Sequence, residues 1–202
     1  EAIRAGKTKY VASNGLPELR EAIVAKLEKE NGLSYKPSQV LVSTGAKHAI
    51  FNIVMTLCEE GDEVLAPSPY WVSYPDQAAA CGARFVPVPT READSFRVRP
   101  EAIERALTTK SRLLILNSPS NPTGAVSTRE DLEAIARIVV ERDLLVLSDE
   151  IYENLVFGAA RHWSIAQMSR EAFERTIVVN GLSKSFAMTG WRIGYAAGPK
   201  EI

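Results

Sequence analysis

Lys184 and Arg192 are the pair in this chain whose types and spacing first suggest chemistry. Both lie within IVVNGLSKSFAMTGWRIGY, residues 177–195, eight positions apart, the lysine between two serines and the arginine between Trp191 and Ile193. A lysine amine forms Schiff bases when burial or a neighbouring positive charge depresses its pKa. Such an amine, with a fixed cation one loop away, suits a carbonyl compound that carries a phosphate. A lone lysine is more often a solvated surface charge, so this reading depends on partners elsewhere.

Those partners must come from the elements around the pair. The runs Val40–Val42, Glu63–Ala66, Phe85–Val88, Leu113–Leu116, Leu144–Leu147 and Ile177–Val179 have the composition of strands, the last followed by a turn at Asn180-Gly181. Between them lie helical patterns. Pro17 opens one in which Leu19, Ile23 and Leu27 recur until Asn31-Gly32, and Ile50, Ile53, Val54 and Leu57 mark another. A helix is predicted around residues 72–80, and a short one from Pro100 to near Leu107. Ser127-Thr128-Arg129-Glu130 has the capping-box form, which predicts a helix from there to about Arg142. Residues 1–15 read as a short amphipathic piece and a loop. All-apolar strands alternating with helices predict an α/β fold of three layers, a mostly parallel sheet covered by helices on both faces.

In open α/β sheets ligands bind beyond the carboxyl ends of the strands, and the distinctive polar residues fall there. Thr44-Gly45-Ala46-Lys47 joins a strand to a helix, where backbone N–H groups and the helix dipole can hold a phosphate. Turns of this kind also carry Gly and Thr simply for cap geometry. Asn121 lies in a Pro-rich turn, Asp149 ends a strand and could equally cap the Ile151 segment, and Tyr152 and Trp71 could be packing residues. Each has a bland reading alone; together with Lys184 and Arg192 they fit one cofactor. His48, His162, Cys58 and Cys81 show no catalytic partner in the sequence and are read as structural.

Composition narrows the classes. The chain has 202 residues and a formal net charge of −1, with acids and bases interspersed, a pattern that does not suggest a polybasic nucleic-acid surface. Two cysteines without a C-x-x-C or Cys/His cluster argue against metal and disulfide frameworks and favour a reducing, cytoplasmic setting. No apolar run reaches membrane-spanning length and no signal peptide is evident. There is no G-x-G-x-x-G after a strand, which disfavours a nicotinamide-dependent dehydrogenase. A first residue other than Met suggests an excised or incomplete piece of a longer protein.

Several segments together resemble the aspartate-aminotransferase family, the fold-type I enzymes that use pyridoxal 5'-phosphate. They are KTKY at 7–10, GLPELREA at 15–22, SPYWVSYP at 68–75, NSPSNPTGAV at 117–126, SDEIYE at 148–153 and NGLSKSFAMTGWRIGY at 180–195. PYWVSYP and FAMTGWRIGY are most similar to the gamma-type subgroup, which includes aspartate and prephenate aminotransferases. The resemblance implies that residues 1–202 are the cofactor-binding large domain, with the N-terminal arm and C-terminal small domain absent. It also implies amino-group transfer between an amino acid, aspartate-like in preference, and a 2-oxo acid.

Position by position, the resemblance implies that Lys184 bonds the cofactor aldehyde and later moves the substrate proton. Asp149 pairs with the pyridine nitrogen, and a nearby negative charge keeps that nitrogen protonated. Asn121 and Tyr152 bond the ring oxygen, and Trp71 stacks on the ring. Arg192 binds the phosphate together with Gly45, Ala46 and Lys47. Tyr10 reaches the phosphate of a neighbouring subunit, which implies a homodimer with shared active sites. Trp71, Asn121 and Lys47 are also the substrate-side candidates; a gamma-type lysine at position 47 is implicated in recognising a distal carboxylate, with phosphate binding or surface exposure as its other possible roles. Gly181 departs from the pattern, because many relatives carry there a serine that helps hold the phosphate. Two other readings share these residues: a different fold-type I reaction such as β-elimination, and a cofactor-binding sensor domain of a transcription regulator.

Overall fold

Proline at the first helical position presets the opening turn of α1 (Pro17–Asn31), and Gly32 closes it at φ 62° with its N–H bonded to the Glu28 and Leu27 carbonyls. The computed structural model describes residues 1–202. After α1 the chain runs through β1 (Val40–Ser43), α2 (Ala46–Leu57), β2 (Glu63–Ser68), α3 (Ser73–Ala80) and β3 (Arg84–Pro89). It continues through α4 (Pro100–Ala106), β4 (Ser111–Asn117), α5 (Arg129–Glu141), β5 (Leu145–Asp149) and α6 (Arg170–Phe173). Last come β6 (Thr176–Gly181), α7 (Leu182–Ser185) and β7 (Gly194–Ala197).

The seven strands form one sheet in the order β1-β7-β6-β5-β4-β2-β3. Strands β3, β2, β4, β5 and β6 pair in parallel, while β7 runs antiparallel to both β6 and β1. Successive side chains of a strand face opposite layers, and the core divides accordingly. Leu113, Ile115, Leu147 and Val179 pack with Ile50 and Val54 of α2 and Tyr74 of α3. Their neighbours Leu114, Leu116 and Val146 pack with Ile103 of α4 and Ile135 and Val139 of α5. Ile23 and Leu27 of α1 meet Val40, Val178 and Tyr195. Each fully buried Leu, Ile or Val contributes roughly 1.5–3 kcal/mol relative to exposure, enough to commit both faces of the sheet. The three-layer expectation therefore holds, with one reversed strand.

Local details differ from the sequence expectation. Thr128, not Ser127, caps α5, its hydroxyl accepting from the Asp131 N–H; the short acidic side chain at the third position suits the later start. Asn180-Gly181 does not turn, because pairing of Gly181 with Gly194 carries β6 directly to α7. Leu41 is exposed, since β1 is an edge strand. Residues 2–6 form an exposed hydrogen-bonded turn at the start of the chain. No helix is long and apolar enough to cross a membrane.

Candidate active site

Beyond the carboxyl ends of β4, β5 and β6 lies a pocket of about 280 Å³. It brings together Ala46, Lys47, Trp71, Asn121, Asp149, Tyr152, Lys184 and Arg192, drawn from segments up to 146 positions apart. Gly45 is buried directly behind Arg192. Tyr10 is not brought there: it is fully exposed and outside the pocket.

Asp149 occupies the floor. Parallel register sets it opposite Asn117 of β4, whose Nδ2 donates to the Asp149 carbonyl at 2.9 Å while its Oδ1 accepts the Asn121 N–H at 2.7 Å. One asparagine thus joins the two loops that carry candidate residues. The Asp149 carboxylate, 4% exposed, accepts the Tyr74 hydroxyl at 2.7 Å and the Ile151 N–H at 3.3 Å. Burial raises its pKa, the Tyr74 and Ile151 bonds oppose this, and the result is about 6. Asp149 does bond the Ile151 N–H as a cap would, but the Ile151 segment is a turn rather than a helix.

Gly45 and Arg192 pack against each other at the start of α2. Gly45 precedes α2 at φ 80°, a left-handed conformation suited to glycine. A Cβ there would overlap the Arg192 guanidinium. A Cβ on Gly194 would overlap the Gly45–Ala46 backbone. The first N–H groups of α2 have no partner within the helix, and the Arg192 guanidinium lies against the Gly45 backbone just ahead of them. Arg192 is itself at φ 56°, costing on the order of 1–3 kcal/mol for a residue with a side chain, and donates to the Thr189 carbonyl at 2.8 Å.

Aromatic groups flank the space between. Trp71 meets Tyr74 edge to face at 5.5 Å, and the Lys47 ammonium lies 4.8 Å from the Trp71 ring. Asn121 Nδ2 donates to the Tyr152 hydroxyl at 3.5 Å, a long bond, and Lys184 Nζ is 5.5 Å from the Tyr152 ring. Lys184 is exposed toward the pocket. It sits on a four-residue helix whose apolar neighbour Phe186 is 64% exposed.

Gly181 has a steric explanation. Its backbone is extended, but a Cβ would stand 2.7 Å from the Ile193 carbonyl oxygen and 3.0 Å from Gly194 Cα. The close approach of β7 that seats Gly194 against Gly45 therefore leaves no room for a serine.

Sequence reasoning missed Tyr74 and Asn117. Tyr74 comes three positions after Trp71, one helical turn, and Asn117 is the polar end of an apolar strand; those were the available signals. His162 has no visible partner in the sequence, yet in the fold its Nε2 lies 3.1 Å from Glu150 Oε2, outside the pocket. Glu150 also accepts from Ser148 and Ser164, and the nearby Glu153 accepts from Lys26 and Asn31. This buried cluster ties α1 to the segment after β5.

Residues 2–202 match the family model for "Aminotransferase class I and II". An aspartate aminotransferase of Geobacillus stearothermophilus is 48% identical over 202 residues, which is 100% of this chain and 51% of that protein. A bifunctional aspartate aminotransferase and glutamate/aspartate-prephenate aminotransferase of Petunia hybrida is 54% identical over 202 residues, covering 100% of this chain and 42% of that one. The structure of Thermus thermophilus aspartate aminotransferase with maleate superposes with a TM-score of 0.95 at 49% identity, over 99% of this chain and 51% of that chain. The chain spans about half the length of the curated relatives it matches. With a matching family model across nearly every residue and a matching three-layer fold, the chain belongs to the class I and II aminotransferase family.

Proposed function

We propose that this chain is the cofactor-binding part of a pyridoxal-phosphate-dependent aminotransferase that exchanges an amino group between an aspartate-like amino acid and a 2-oxo acid. The observation that carries the reading is Asp149, a buried carboxylate with hydrogen-bond donors but no cation beside it, in a pocket that Arg192 also lines with Gly45 behind it. A protonated heteroaromatic nitrogen at one end and a phosphate at the other answer both features. The names of the relatives at 48–54% identity supply the reaction class.

When bound, pyridoxal phosphate supplies an aldehyde for covalent attachment and a ring that accepts negative charge from the substrate carbon. The chain's own residues divide the remaining work. Asp149 would hold a proton on the ring nitrogen by its negative charge. Asn121 and Tyr152 would donate toward the ring oxygen, and Trp71 would cover the ring and limit access of water. Arg192 and the N-terminus of α2 would hold the phosphate. Lys184, exposed toward the pocket, would offer Nζ as the point of attachment and, once the substrate amine had displaced it, would carry the proton from the substrate α-carbon to the cofactor carbon that bore the aldehyde. Lys47, over the Trp71 ring, attracts a distal substrate carboxylate. Tyr10, wholly exposed, reaches the phosphate site of a second copy in a homodimer.

Borohydride trapping tests this without requiring turnover. Pyridoxal phosphate mixed with the wild-type chain should be fixed covalently to the peptide containing Lys184, and Lys184→Ala should abolish both the trapping and the visible absorbance. Equal trapping in the variant defeats the assignment.

A further inference from the structure

We propose that Tyr74 is the positioning residue of this site, aiming the Asp149 carboxylate and joining it to Trp71. The proposal rests on the cofactor reading above and extends it to a side chain that lies beneath the pocket.

Tyr74 is 1% exposed, on the first turn of α3. Its ring meets the Trp71 indole edge to face at 5.5 Å, and its hydroxyl donates to Asp149 Oδ2 at 2.7 Å. Trp71 is the residue for the ring face and Asp149 the residue for the ring nitrogen, so one phenol sets the relation between two cofactor contacts. The other donor to the carboxylate, the Ile151 N–H, is 3.3 Å away and comes from the chain segment of Asp149 itself. Tyr74 therefore provides the short bond and the only anchor of the Asp149 side chain in α3.

Direction of donation is set by the chemistry. Burial, then the Asp149 charge, hold the Tyr74 phenol well above its ordinary range, so its proton stays on the phenol. Other ionisable groups around Asp149 are Glu150 beside it, Tyr152 in the following turn, Lys184 on α7 and Arg192 ahead of β7. The facing residue of β4, Asn117, bonds only the Asp149 backbone, and Val179 of β6 is apolar. A hydrogen bond to the charged form favours that form. Tyr74 thus opposes the burial that raises the Asp149 pKa and favours the charged form that a ring-nitrogen proton calls for.

The test uses Tyr74→Phe, which keeps the aromatic edge against Trp71 and deletes the donor. A second protein carries 2,3-difluorotyrosine at position 74, a stronger donor of nearly the same shape. Infrared titration of the Asp149 carboxyl in the cofactor-free chain, with Asp149→Asn as the blank, reads the effect directly. Tyr74→Phe should raise the midpoint by ~1 pH unit, and the fluorinated phenol should lower it. A midpoint unmoved by both overturns the proposal. Affinity for pyridoxal phosphate should fall roughly tenfold in Tyr74→Phe and stay within about twofold when the same change is made in an Asp149→Asn background. Equal losses in both backgrounds would mean that Tyr74 acts through packing alone, and would also overturn it. A wild-type chain that bound no pyridoxal phosphate would defeat the cofactor reading instead, while the infrared midpoint still decided the role of Tyr74.

Discussion

The Arg192 guanidinium occupies the place that a side chain on Gly45 would need. The anion wall of the pocket is thus made by omission as much as by charge: α2 begins at a residue with no Cβ, and the arginine lies against its backbone. Gly45→Ala should push the guanidinium aside and strain a left-handed residue, at a cost on the order of 1–3 kcal/mol. Comparing pyridoxal phosphate with pyridoxal isolates the anion wall. The variant should lose at least about tenfold in affinity for the phosphorylated form and little for the other.

Asp149 makes the cofactor-free chain less stable than it could be. Its folded pKa of about 6 exceeds the ordinary value of 3.8. The folded state therefore holds more protons between these values, and stability falls as pH rises through that window. Asp149→Asn removes the effect. The variant should be more stable than wild type above pH 6, by up to about 3 kcal/mol, with no gain below pH 3.8. Urea denaturation at pH 3.5 and pH 7.5 checks it; equal stabilities at pH 7.5 would contradict the buried charge.

The Glu150–His162 pair has the opposite character. Burial works against both charges, but the His162 bond and charge, with Ser164 and Ser148, hold Glu150 below its ordinary 4.5, and Glu150 holds His162 above its ordinary 6.5. The glutamate contribution is complete above pH 4.5 and is lost as pH falls through the lower folded value. The histidine contribution is complete below pH 6.5 and is lost as pH rises through the higher folded value. His162→Ala leaves a buried carboxylate short of a partner and should cost roughly 3–5 kcal/mol near pH 6. Thermal unfolding across pH 5–9 should show the alkaline decline of the wild type flattened in the variant.

Gly181→Ser restores the residue that many relatives carry, and it should do harm here. The added atoms press on the Ile193 carbonyl and Gly194, which seats against the Gly45 turn. Overpacking of this kind costs about 1–3 kcal/mol, so the melting temperature should drop. Because the displaced strand supports Gly45, phosphate affinity should fall with it. A variant that gained phosphate affinity would show that β7 can yield.

Local patterns carried much of the architecture. The apolar runs at Leu113–Leu116 and Ile177–Val179 allow only buried strands between helices, and Pro17 and Gly32 mark the ends of α1 in the residues themselves. The motifs at 68–75, 117–126, 148–153 and 180–195 contain most of the residues that line the pocket, because each sits at a strand end where an α/β sheet presents its ligands.

What the sequence by itself determined was the order of elements and the chemical kinds at their ends, since periodicity, capping and turn chemistry act over a few residues. Tertiary structure alone decided which groups meet. The Tyr74 hydroxyl reaches a carboxylate 75 positions away, and Asn117 faces Asp149 only because β4 and β5 adopt one parallel register. Lys184 faces the pocket because α7 is a four-residue helix between β6 and the Arg192 turn, and His162 finds Glu150 because a loop folds back on the end of β5. No local rule encodes such cross-sheet proximities; they arise from burying both faces of one sheet at once.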